Sequence, residues 1–238
     1  MSTHDQLPTP IESNVVDYVT ATAKSILGTI PFAGSLLAEV AGSIIPNQRI
    51  DRIADFTAKL EHRIKSLEET FLAKALTDEE FTDLVEESLR QASRSTTQER
   101  RGYLAALVSN SLSSEEITYA ETKHLMRILG ELTDVEVVWL RSYIENNEFR
   151  ELHSNVLDPM IPSSDSPPQG ALDARVLRES YRDHLLRLGL VIGEIRKNKD
   201  GSPEFDDFSR SFKAHVHRIS QLGRLLLKQI DVVGQDPQ

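Results

Sequence analysis

The stretch IDRIADFTAKLEHRIKSLEETF, residues 50–71, decides the fold class. Ile50, Ile53, Thr57, Leu60, Ile64, Leu67 and Phe71 recur in steps of three and four. That spacing puts them on one helical face and writes a heptad seam about three repeats long. A helix is expected within residues 47–76. The seam could pair with a second chain. The run is short and its neighbours also read as helical, so packing within the chain is the simpler expectation.

Toward the C-terminus, helix-start signals recur. Thr77-Asp78-Glu79-Glu80, Thr96-Thr97-Gln98-Glu99 and Thr133-Asp134-Val135-Glu136 each place a threonine three residues before a glutamate. Such a capping box satisfies two orphan backbone N–H groups reciprocally. Apolar faces follow: Phe81, Leu84, Val85 and Leu89, then Tyr103, Leu104, Leu107, Val108 and Leu112. Ser113 or Ser114 is expected to cap a helix carrying Ile117, Leu125, Ile128, Leu129 and Leu132. The third box starts a helix to about Glu145. Toward the N-terminus, Ile11, Val15, Val19, Ala23 and Ile26 read as one helical face, and Pro31 suits the first turn of a helix to Ile45. Residues 1–157 therefore read as a helical bundle.

Residues 158–169 hold four prolines and three serines, which no regular element spans. We place a linker at 158–170. Beyond it, a helix over 172–187 leads to Leu188-Gly189-Leu190-Val191-Ile192, read as a strand. Lys197-Asn198-Lys199-Asp200-Gly201 reads as a turn, and His215-Val216-His217-Arg218-Ile219 as a second strand. A last helix opens at Ser220. That order closes a winged helix. The expected fold is mainly α: a bundle followed by a small winged-helix-like α+β module at 171–238.

The 238 residues include 27 Lys+Arg and 37 Asp+Glu, a net charge of −10, and no cysteine. Without cysteine there is no disulfide framework, thiol catalysis or thiolate metal site. The charge is uneven: residues 1–170 carry −12 and residues 171–238 carry +2. The acidic balance argues against nucleic acid for the first part and only weakly for the second. The opening residues lack the basic and apolar pattern of a signal peptide, so the expected location is cytoplasmic or peripheral to the inner membrane.

Two segments are candidates for function. Residues 25–46, SILGTIPFAGSLLAEVAGSIIP, carry one charge, Glu39. Ile26, Leu27, Ile30, Phe32, Leu36, Leu37, Val40, Ile44 and Ile45 supply apolar surface, and glycines and alanines let helices approach closely. The length is near the ~20 residues that span a bilayer. Pro31, the interior glycines and Glu39 oppose a permanent span, a central carboxylate costing about 2.5–3.5 kcal/mol on insertion scales. A helix buried in the bundle is favoured over conditional membrane insertion or surface association, and both over a permanent span. The second segment is the 172–187 helix. Arg175, Arg178 and Arg182 share a face, with Leu177, Tyr181 and Leu185 expected on a core-facing one. A recognition helix needs this division, and Lys197 and Lys199, with Arg196, would lie on the wing as further nucleic-acid contacts. Glu179 and Asp183 can neutralise the stripe into a solvated face.

No phosphate-binding loop, nucleophile elbow, dinucleotide turn or zinc-protease motif occurs. His215 and His217 share a strand face, but no third ligand is identifiable. The expectation is no catalytic residue, no metal and no cofactor.

Four pieces occur in order: Glu99-Arg100-Arg101-x-Tyr103-Leu104-Ala105-x-Leu107-Val108-x-Asn110, Leu125-Met126-Arg127-Ile128-Leu129-x-Glu131-Leu132-Thr133-Asp134, Leu186-Arg187-Leu188-Gly189-Leu190-Val191, and Ile219-Ser220-Gln221-Leu222-Gly223-Arg224-Leu225-Leu226. Together they resemble the bacterial abortive-infection alpha family, a domain of unknown function, over roughly residues 95–230. Ser220 and Leu226 stand where that family's pattern has Thr and Phe. The resemblance implies an antiviral phage-defence or host-shutdown setting and carries over no catalytic residue. The leading expectation is a non-enzymatic protein acting through a protein partner, self-association or conditional membrane contact of residues 25–46. A winged-helix DNA-binding regulator is the alternative.

Overall fold

The computed structural model describes residues 47–67, 74–75, 77–113, 117–157, 169–195, 197–198, 200–206, 211–212 and 214–232. The expected helices over 11–27 and 31–45 lie outside these residues, as does linker segment 158–168. The described chain is mainly helical, with short antiparallel strands in its C-terminal part. It forms two compact units that divide at Met126/Arg127.

The first unit is built on α1 (Asn47–Ile64), α2 (Glu79–Arg94) and α3 (Gln98–Ser113). Of the seam on α1, Ile53, Thr57 and Leu60 are buried, joined by Phe56, which the seam does not include, and α1 lies against both α2 and α3. For this stretch the seam packs within the chain. The helix is shorter than its periodicity suggested. It ends at Ile64, where the Leu67 N–H donates to the Ile64 carbonyl and tightens the chain into a turn. Residues 68–73 lie outside the described residues.

Helix α3 is buried on most sides. Leu104, Ala105, Ala106, Leu107 and Val108 are all fully buried, so α3 is the central helix of this unit. Its buried serines satisfy themselves: Ser109 Oγ donates to the Ala106 carbonyl and Ser111 Oγ to that of Val108. Arg101, only 7% exposed, donates from Nε to Asp55 Oδ2 at 2.5 Å and from Nη1 to the Ser95 carbonyl at 3.0 Å. Burial pushes the Asp55 carboxyl up, but hydrogen bonds from Arg101 and Lys59 outweigh it and hold the group below the usual carboxylate range.

Two of the three expected capping boxes differ from their sequence reading. Asp78, not Thr77, caps α2, accepting from the Glu80 and Phe81 N–H groups, while Thr77 donates to the Lys74 carbonyl. A carboxylate competes better than a hydroxyl for the positive end of a helix. Thr97 Oγ1 accepts from the Arg100 N–H, so the expected Thr96–Glu99 box is displaced. Ser113 ends α3, and Ser114, the other expected cap, lies outside the described residues. The next helix, α4 (Tyr119–Glu131), is capped by Thr118, whose Oγ1 accepts from the Glu121 N–H while Glu121 accepts from the Thr118 N–H. The Thr133–Glu136 box forms as read, and α5 (Asp134–Arg141) follows it. That helix stops short of Glu145, because Asn146 caps a separate short helix, α6 (Asn147–Leu152), followed by α7 (Ser154–Leu157).

The second unit continues with α8 (Gln169–Arg187), β1 (Val191–Ile195), β2 (Phe205–Asp206), β3 (Ser211–Phe212), β4 (Ala214–Ile219) and α9 (Gln221–Gln229). Strands β1 and β4 pair antiparallel, with Val191 opposite Ile219, and β2 pairs with β3. The Gly201 N–H donates to the Asn198 carbonyl, closing the expected turn.

The expected strand at 188–192 is corrected. Leu188-Gly189-Leu190 terminates α8, and the strand begins at Val191. Gly189 has φ +70°, its N–H donates to the Leu186 carbonyl, and the Leu190 N–H donates to that of Leu185. This is a Schellman closure, and it needs glycine at the left-handed position. The β-branched signal belongs only to Val191-Ile192, which continue into Gly193-Glu194-Ile195.

The closure docks directly onto α9. Ser220 caps that helix by accepting from the Gly223 N–H, and its own hydroxyl donates to the Gly189 carbonyl at 2.6 Å. The Ser220 N–H donates to the Leu190 carbonyl at 2.9 Å. The two glycine-bearing pieces that carry the family resemblance therefore meet at one junction.

Candidate functional site

The apolar candidate, Ile26 to Ile45, lies wholly outside the described residues. Among the described residues, no helix is long and apolar enough to cross a membrane.

The arginine candidate is described in full and differs from its sequence reading. Along α8, residues 171, 174, 178, 181, 182 and 185 face inward, and Leu185 is fully buried. Arg178 and Arg182 therefore lie on the packed side, partly buried, and only Arg175 is exposed. Leu177, expected in the core, is 54% exposed, and Leu172 and Val176 are exposed as well. Arg178 and Arg182 are partly buried, while Leu177 is turned outward. Long stems can cover apolar surface while the guanidinium stays at an opening.

That opening is a cleft of about 240 Å³ lined by Trp139, Arg175, Arg178, Glu179 and Arg182. Helix α5 contributes Trp139 and α8 the rest, and the two helices pack together. Arg175 Nε donates to Glu179 Oε1 at 3.2 Å, and both side chains are well exposed. Such a pair is screened and worth little. The Trp139 indole N–H is buried with no acceptor among the described residues. Burial raises the Tyr143 phenol, with the charges of Arg182 and Arg150 pulling the other way. Burial lowers the His217 imidazole, the Arg182 guanidinium lowers it further, and Asp183 partly opposes both. Arg182 is thus felt on two sides, from α5's C-terminal turn and from β4.

A second polar cluster joins the same two helices. His184 Nδ1 and Glu136 Oε1 are 2.6 Å apart, and the Glu136 side chain is only 4% exposed. The other Glu136 oxygen accepts from the Thr133 N–H and hydroxyl. One carboxylate therefore closes the capping box and fastens α8 to α5.

Lys197 is exposed and pairs with Pro203 through an isolated bridge at the base of the turn; Arg196 and Lys199 lie outside the described residues. Among the described residues, no group of three or more His, Asp or Glu is placed to hold a metal ion. Sequence reading missed Trp139, Tyr143 and the Glu136–His184 link. Trp139 carried one available signal, being the single tryptophan of the chain on a helix with a complete capping box. No protein-family model, no curated protein and no solved structure matches this chain.

Proposed function

We propose that the chain is a non-enzymatic interaction protein of the bacterial abortive-infection, phage-defence type, cytoplasmic or peripheral to the inner membrane. Its working segment is residues 25–46, presented to a protein partner, to a second copy or, on a trigger, to a membrane. The observation that carries this reading is compositional: 22 residues with the single charge Glu39, attached to a chain of net charge −10. The motif pieces that resemble the family lend support, because Gly189, Ser220 and Gly223 are each used at one tight junction. Vesicle flotation and dye leakage with the purified full chain test the membrane branch. Binding that depends on residues 25–46 is the expected result. No binding at any lipid composition, with 25–46 protected from hydrogen exchange throughout, refutes it.

A second reading is favoured by α8. The order α8, β1, β4, α9, with a turn between the strands, suits a winged helix, and Arg175, Arg178 and Arg182 on its helix suit phosphate contacts. This reading makes the chain a DNA-binding regulator. A duplex mobility shift that weakens steeply with salt is expected. Binding left unchanged when the three arginines become alanine removes it.

A further inference from the structure

We propose that His184 on α8 is a phosphoryl-acceptor site: its Nε2 takes the group from a small acyl phosphate while Glu136 of α5 holds the ring. His184 Nδ1 lies 2.6 Å from Glu136 Oε1, and the His184 side chain is 25% exposed against 4% for Glu136. The carboxylate is fixed from its other end. Its Oε2 accepts from the Thr133 N–H at 2.7 Å and from the Thr133 hydroxyl at 2.9 Å, so the capping box locks it in place. A carboxylate only accepts, so Nδ1 is the donating nitrogen of the imidazole. The neutral ring then carries its basic lone pair on Nε2, the other ring nitrogen.

A buried carboxylate on Nδ1 does two things for Nε2. It fixes the tautomer, and it stabilises the positive charge that the ring takes up when Nε2 forms a bond. His62 is the contrast: its Nδ1 lies 3.4 Å from Lys65 Nζ, a partner that opposes such a charge. The partly exposed His184 ring admits a small reagent. An anionic one is favoured, because the exposed Arg187 stands three residues along α8 and neighbours the ring, whereas Asp183 is the adjacent position and does not face it. A small acyl phosphate meets both conditions. The step balances with no proton transfer. The Nε2 lone pair forms the N–P bond, the P–O bond to the acyl group breaks, and the carboxylate leaves with that electron pair. The ring becomes a cation whose Nδ1–H still donates to Glu136. The site rests neither on the reading of residues 25–46 nor on that of the arginine face.

The full chain is incubated with acetyl phosphate. Peptide mass spectrometry locates the labelled histidine, and phosphorus NMR in alkaline buffer, where the N–P bond survives, identifies the ring nitrogen. His184 is expected to gain the phosphoryl group on Nε2 about tenfold faster than His62 and His124, although both of those are exposed. Glu136→Gln should slow labelling of His184 by about tenfold and leave His62 and His124 unchanged, the scale on which losing a supporting carboxylate acts on a histidine. The comparison among histidines of the parent chain needs no variant, so the test stands if Glu136→Gln fails to fold. Labelling of His184 no faster than that of His62 and His124 overturns the proposal. So does label on Nδ1, an acetyl group in place of phosphoryl, or a folded Glu136→Gln chain labelled at the parent rate.

Discussion

Replacing Gly223 by alanine separates packing from intrinsic helix preference in a single residue. On preference alone the change stabilises a helix by about 0.8–1.0 kcal/mol. The structure reverses the sign. A Cβ at Gly223 would lie 2.3 Å from the Leu190 carbonyl oxygen, 2.8 Å from Ile219 Cγ1 and 3.2 Å from the Leu190 carbonyl carbon. An ordinary carbon–oxygen contact is about 3.3 Å or more, so α9 must retreat by about 1 Å. It cannot do so freely. The Leu190 carbonyl also accepts the Ser220 N–H at 2.9 Å, and the Ser220 hydroxyl donates to the Gly189 carbonyl while accepting from Gly223. Retreat stretches all three bonds. Overpacking costs about 1–3 kcal/mol, and a lost cap with a strained hydrogen bond about 1 kcal/mol each. Set against the preference gain, the net destabilisation is about 2–4 kcal/mol. Urea unfolding followed by Trp139 fluorescence reads the same unit. Gly102→Ala on α3 is the matched control, since a Cβ there meets nothing within 4 Å. That variant should gain about 0.5–1 kcal/mol by circular dichroism. A Gly223→Ala chain as stable as the parent refutes the close-approach reasoning.

Other consequences can be measured in the same way. Arg101→Ala leaves Asp55 with Lys59 alone and strands the Ser95 carbonyl, and should lower the urea stability of the first unit by about 1–3 kcal/mol. Asp55 is depressed in the folded protein, so the unfolded chain binds the proton more readily. Its contribution is present above the unfolded carboxylate pKa of about 3.9 and is lost as pH falls through the lower folded value. Asp55→Asn should flatten this part of the acid-stability profile, and an unchanged profile refutes the assignment. Glu136→Gln removes the charge that both caps α5 and holds His184, and should cost about 1–3 kcal/mol in thermal or urea melts. Gly189→Ala forces a side chain into φ +70° and should cost about 1–2 kcal/mol, with the loss confined to the second unit.

What the sequence could specify is local. Helix existence follows from spacing: Ile53, Thr57 and Leu60 fall on the seam of α1 and are buried there. The Thr133–Glu136 box and the Ser220 cap were readable because their partners lie within three residues. Where a cap had two adjacent candidates, as at Thr77-Asp78, local pattern was insufficient, because the choice depends on which oxygen reaches the free N–H groups. The stop of α8 at Gly189 was hidden for a related reason. A run of Leu, Val and Ile reads alike as a strand or as a buried helix end, until a positive φ separates the two.

The cleft was decided only by tertiary structure. Spacing put Arg175, Arg178 and Arg182 on one face of α8, but it could not say which way that face turns. Packing against α5 turned it partly inward, exposed Leu177 and Val176, and set Trp139 opposite the arginines. The Asp55–Arg101 and Glu136–His184 pairs join residues 46 and 48 positions apart, a separation over which no periodicity carries information. Helical period and caps are properties of a few consecutive residues. The direction of a face, and the neutralisation of the charges it carries, depend on what folds against it.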